Sequence, residues 1–115
     1  MKYLILLVPI LLILAGCSKT REIKPELKIE NNTILIDVRT ETEFNSGHLE
    51  KAINIPYSVI EEQIKSITKD TSKNIVVYCR SGRRSGIAQK VLLKMGYKNV
   101  ANGGAYKNLI KQQDQ

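Results

Sequence analysis

Cys79 heads the run Cys79-Arg80-Ser81-Gly82-Arg83-Arg84-Ser85, which places three arginines within five positions of a thiol. Such a thiol is set to work as an anion. Electropositive surroundings lower a cysteine pKa from about 8.5 toward roughly 3.5–7.5. Successive backbone N–H groups in a short loop converge into an anion nest, and a helix N-terminus adds partial positive charge at the same place. Gly82 lets the backbone bend where a side chain would obstruct it. The chemistry this implies is nucleophilic, with the sulfur anion in a cradle that also accepts an oxyanion. A buried, inert cysteine leaves the arginines unexplained.

Two reactions use such a cradle. Cysteine phosphatases and arsenate reductases need Cys-x5-Arg, the arginine gripping a tetrahedral oxyanion. Here the sixth position after Cys79 is Ser85, and Arg83 and Arg84 fall at four and five. The loop is a residue short for phosphate. Sulfur transfer uses a shorter loop around one added sulfur atom, and the spacing favours it.

The flanking elements must hold that loop at the end of a strand. Ile75-Val76-Val77-Tyr78 is the strongest strand in the chain. A helix follows the loop, with Ile87, Ala88, Val91, Leu92 and Met95 on one side and Gly96 closing it. Upstream, Thr33–Val38 lacks clean alternation, as a strand covered on both faces does. Thr40 and Glu43 have capping-box spacing for a short helix ended by Gly47, and Ser58 and Glu61 have it for a second, with Ile60, Ile64 and Ile67 on one face. Ala52–Ile55 reads as a short strand stopped by Pro56. Val100 centres a last strand, Asn102-Gly103-Gly104 reads as a turn, and a terminal helix covers Leu109-Ile110. This alternation predicts an α/β fold, a small, mainly parallel sheet of four to five strands with helices on both faces. In such sheets sites lie beyond the carboxyl ends of strands, where Cys79 stands.

Ile36-Asp37-Val38-Arg39, Glu43-Phe44, Gly47-His48-Leu49 and Ala52-Ile53-Asn54-Ile55-Pro56 resemble the first signature of rhodanese-like domains. Tyr78 to Ser85 resembles their active-site loop in its six-residue sulfurtransferase form. Met95-Gly96-Tyr97, Val100 and Gly103-Gly104 match the closing segment. The resemblance runs from Thr33 to about Leu109, and the chain is especially similar to small exported single-domain rhodaneses of the phage-shock type. It implies a three-layer fold and a thiosulfate sulfurtransferase that works without a cofactor. Cys79 would take the outer sulfur of thiosulfate, release sulfite, and hold a persulfide until a thiol or cyanide acceptor, or a protein acceptor, removed it. Arg80, Ser81, Gly82, Arg83, Arg84 and Ser85 would bind the anionic donor and the persulfide. A persulfide carrier or thiol-sensing module without turnover is the alternative, an oxyanion reductase or phosphatase a weaker one. Two departures stand out. The tryptophan common after the double glycine is missing, with Tyr106 and Asn108 in that region. The segment before Thr33 is short and polar, which predicts a sheet reduced to four strands.

Residues 1–16 have a positive start, an apolar run from Leu4 to Ala15, and a small-residue end, as a secretory signal does. Leu14-Ala15-Gly16-Cys17 resembles the bacterial lipobox, which implies cleavage before Cys17 and lipid attachment to its sulfur. Residues 17–32 then read as a lipid-attachment cysteine and tether, with a short ordered piece around Leu27–Ile29, and residues 33–115 as the domain. The protein would sit on the bacterial membrane, facing the periplasm or the exterior. The whole chain carries 18 Lys+Arg against 11 Asp+Glu. Most lysines are spread singly, and no basic stretch has the interleaved aromatics of a single-strand nucleic-acid platform, which argues against a nucleic-acid partner. One histidine and one free cysteine supply too few ligands for a metal site. His48 is read as a hydrogen-bonded structural residue, and Arg39 as pairing with Glu43 to brace the first loop.

Overall fold

The computed structural model describes residues 29–113. The expected signal segment 1–16, Cys17 and the expected tether as far as residue 28 lie outside the described residues. The elements are β1 (Ile34–Asp37), α1 (Glu41–Asn45), β2 (Ile53–Asn54), a 3-10 turn (Tyr57–Val59), α2 (Ile60–Ile67), β3 (Asn74–Cys79), α3 (Arg83–Lys94), β4 (Asn99–Ala105) and α4 (Tyr106–Gln113). The four strands form one parallel sheet in the order β2-β1-β3-β4. This is the α/β architecture, and the reduced sheet, that the sequence predicts.

Side chains alternate across a strand, so β3 feeds two cores at once. Ile75, Val77 and Cys79 join Ile36, Val38, Ile60, Ile64, Ala88 and Leu92 on the face covered by α2 and α3. Val76 and Tyr78 join Leu35, Leu49 and Leu109 on the face covered by α4. Cys79 therefore points toward the start of α3. Chain order reverses between β1 and β3, and a crevice forms at such a switch point beyond the strand ends. Cys79 lies there.

Several local readings change. Ser58 does not cap α2. Pro56 turns the chain, the N–H of Tyr57 bonds the Val38 carbonyl, and Ser58 falls inside the 3-10 turn, leaving Val59 to start the helix without a side-chain cap. Ile67 is exposed because α2 ends there, and Ile87 is 39% exposed, outside the stripe formed by Ala88 and Leu92. Asn102-Gly103-Gly104 is not a turn. β4 runs straight through it, with Asn102 opposite Val77 and Gly104 opposite Tyr78, so Gly103 is the extra residue of a bulge. A Cβ on Gly103 would lie 3.0 Å from Val76 Cγ1 and 3.3 Å from the Val77 carbonyl oxygen, which explains the glycine by packing.

Candidate active site

β1 and β3 lie side by side in register, Asp37 opposite Tyr78, so the loops at their carboxyl ends are neighbours. After Cys79 the chain turns through Arg80–Gly82 and enters α3 at Arg83. Gly82 is the residue before the helix, at φ +96°, a left-handed conformation that favours glycine. A Cβ there would only touch the Gly104 backbone, at 3.4 Å, so the conformation and not crowding calls for glycine. The turn brings the Gly82 N–H to 3.0 Å from Cys79 Sγ, and the first turn of α3 brings the Ser85 hydroxyl to 3.4 Å.

Burial alone would push the Cys79 thiol up. Hydrogen bonds from the Ser85 hydroxyl and from the backbone N–H groups of Ser85, Ser81 and Gly82 outweigh it and bring the pKa down to about 7. The anion is thus held chiefly by amides and a hydroxyl. From the sequence, backbone amides and arginines are expected to share this work. The cysteine is 0% exposed and sits beneath the loop that holds it.

The three arginines divide. Arg84 turns to α1, where Nη1 and Nη2 donate to the two carboxylate oxygens of Glu43 at 2.7 and 2.9 Å. That fork holds the Glu43 carboxyl near pKa 2. Arg80 and Arg83 are exposed, and neither forms an ion pair among the described residues. Arg39 does not pair with Glu43. Its Nε and Nη2 hold the Asp37 carboxylate, with contacts down to 2.6 Å, and Nη2 also donates to the Gly47 carbonyl. Asp37 is fully buried beside it, so the nearest anion takes the guanidinium and leaves Glu43 for Arg84.

The Thr40–Glu43 capping box forms as its spacing predicts. His48 stacks on Phe44, 3.6 Å between ring centres, and its Nδ1 donates to the Phe44 carbonyl at 2.8 Å. Two contributions near the site are not evident from the sequence. Glu43 is expected there to cap α1 and to pair with Arg39, whereas the cation it holds is Arg84, 41 positions away. Asn102 of β4 accepts from the Ser85 hydroxyl at 2.7 Å and donates to the Gly82 carbonyl at 3.1 Å. No local signal separates it from a turn residue.

Residues 21–107 match the model of the rhodanese-like domain. The chain belongs to the rhodanese-like family. The thiosulfate sulfurtransferase PspE of Escherichia coli is 39% identical over 74 residues, 64% of this chain and 71% of that protein. A mitochondrial relative from Schizosaccharomyces pombe is 44% identical over 84 residues, 64% of this chain but only 59% of its own length. Among solved structures, a rhodanese with anions from E. coli superposes with a TM-score of 0.64 at 38% identity, over 66% of this chain and 89% of that one. The rhodanese-like fold and the Cys79 loop thus come together within the described residues, and the E. coli relative is named as a thiosulfate sulfurtransferase.

Proposed function

We propose that this rhodanese-like protein moves a sulfane sulfur from thiosulfate, or a similar anionic donor, to a thiol or cyanide acceptor through a persulfide on Cys79. The supporting observation is the single sulfur at the switch point of the sheet, held by converging donors that bring its pKa to about 7. Near neutral pH about half of that group is thiolate.

The thiolate attacks the outer sulfur of thiosulfate. A new sulfur–sulfur bond forms to Cys79, the bond to the sulfonate sulfur breaks, and sulfite leaves with the electron pair. The acceptor then attacks the outer sulfur of the persulfide and returns Cys79 as thiolate. No proton relay is needed, which suits the structural place of His48. An anion and a dianion must meet in the first step, and fixed cations offset their repulsion. Arg80 and Arg83, free of ion pairs among the described residues, are assigned that role. Arg84, neutralised by Glu43, is assigned a smaller part in binding and a larger one in bracing α3. The N–H groups of Ser81, Gly82 and Ser85 would cradle the persulfide. Cys79 itself is buried, and Arg80 and Ser81 of its loop are exposed. Donor access requires the loop to lift.

A second reading has one observation in its favour. Full burial of Cys79 suits an inert thiol or a carrier that exchanges sulfur only with a docked protein. Steady-state transfer from thiosulfate to cyanide separates the readings. Parallel-line, ping-pong kinetics are expected, and Cys79→Ser should lower the rate at least about a thousandfold. Full activity in that variant would overturn the proposal. Cys79 persulfidation without turnover would favour the carrier.

Cys17 is proposed as the lipid-anchored end of the mature protein. Metabolic labelling with a radioactive fatty acid should mark the protein and fail in Cys17→Ser. Equal labelling of both would contradict the anchor.

A further inference from the structure

β4 contributes an uncharged side chain to the Cys79 loop. Val100 packs on the face of α2 and α3 and Ala101 on the opposite one, so Asn102 returns to the face that holds Cys79. Its amide oxygen accepts from the Gly104 N–H at 2.9 Å and from the Ser85 hydroxyl at 2.7 Å, and its amide nitrogen donates to the Gly82 carbonyl at 3.1 Å. A backbone N–H must face the oxygen and a carbonyl must face the NH2 group, so the amide has one satisfactory orientation. Gly82 and Ser85 are the same two residues that approach Cys79 Sγ, at 3.0 and 3.4 Å. The bulge at Gly103 sets the Gly104 N–H where it completes the hold on Asn102.

We propose that Asn102 is a positioning residue for the Cys79 thiolate, clamping two of its donor residues, Gly82 and Ser85, from the adjacent strand. The Gly82 tie fixes the turn that aims the amide at sulfur. The Ser85 tie fixes the hydroxyl oxygen, whose single proton has two acceptors, Asn102 and Sγ. While sulfur is protonated, the shorter bond to Asn102 keeps the hydroxyl in place. When sulfur ionises, the proton turns toward it from a short distance. No charge is involved on β4, which carries no titratable residue. The charged and titratable groups around Cys79 are Arg84 with its partner Glu43, Tyr57 beside Arg84, and the exposed Arg80 and Arg83. Asp37 on β1 is engaged by Arg39.

This proposal rests on Cys79 being the reactive group, and the test reads that group directly. The rate of Cys79 alkylation by iodoacetamide is measured against pH in the wild type, Asn102→Ala and Asn102→Asp, with melting temperatures and thiosulfate-to-cyanide turnover alongside. Asn102→Ala should move the alkylation midpoint up by about one unit, a roughly fivefold loss of thiolate at neutral pH. Asn102→Asp keeps the acceptor for Ser85, loses the donor to Gly82 and adds a negative charge, so its shift should be at least as large. It also serves if the alanine variant fails to fold. Adding Ser85→Ala to Asn102→Ala should raise the midpoint by less than the two single shifts combined, because they share a route. An unchanged midpoint in the folded variants would overturn the proposal, even with turnover reduced, since a merely structural role lowers stability without moving the titration. A wild-type Cys79 that never alkylates would instead defeat the reactive-cysteine reading, and this proposal with it.

Discussion

β1 and β3 are neighbours in the sheet, and each sends an arginine-bearing loop off its carboxyl end. After β1, every strong group has a partner inside the fold. Asp37 is held by Arg39, Arg39 by Asp37 and the Gly47 carbonyl, and the Asn54 amide donates to the carbonyls of Asp37 and Arg39. The Arg39 guanidinium also lies 4.5 Å from the Tyr106 ring centre. After β3, donors converge on one sulfur, and two guanidinium groups face solvent. The same residue type does opposite work across one strand spacing. A cation enclosed with its anion fixes a loop, and a cation left open beside a thiolate attracts a ligand.

The sharpest way to break this contrast is on the β1 side. Asp37→Asn leaves the Arg39 charge buried without its counter-ion and should cost about 3–5 kcal/mol. Thermal unfolding should show a melting temperature lower by more than about 10 °C. A drop of only a degree or two would mean the pair is not structural. On the β3 side the pattern should invert. Arg80→Ala combined with Arg83→Ala should leave stability within about 0.5 kcal/mol and raise the KM for thiosulfate at least about tenfold. An unchanged KM would remove the two arginines from donor binding.

Glu43 lies between the two loops, and its effect should be the smallest. Its carboxyl is held near 2, below the ordinary 4.5, chiefly by Arg84. A depressed acid stabilises the fold above its unfolded pKa and loses that contribution as pH falls toward the folded one. Glu43 is about a third exposed, so solvent screening limits the pair to about 1 kcal/mol or less. Denaturant unfolding should therefore show Glu43→Gln slightly weaker than wild type near neutrality and equal to it near pH 2. A difference that persists at low pH would assign Glu43 a role other than the ion pair.

The loop of β3 was legible in the sequence because its signal is local. Cys79, Gly82 and Ser85 act on one another within six positions, and strand-end placement follows from the apolar run before them. Its partners were not legible. Glu43 reaches Arg84, and Asn102 reaches Ser85 and Gly82, only because β1, β3 and β4 lie side by side, a relation that spacing does not encode. Arg39 was assigned to Glu43 four positions on, the usual helical neighbour. Asp37, two positions back, prevailed because a fully buried carboxylate needs the nearest cation most. The glycine pair read as a turn because a bulge and a turn both call for glycine, and only strand register tells them apart.

The central claim is that Cys79 carries sulfur. Intact-mass measurement of the purified protein after incubation with thiosulfate tests it most directly. A gain of one sulfur atom, located on Cys79, reversed by cyanide and absent in Cys79→Ser, is the result predicted. An unchanged mass with thiosulfate in excess, on a protein shown to be folded and reduced, would contradict it.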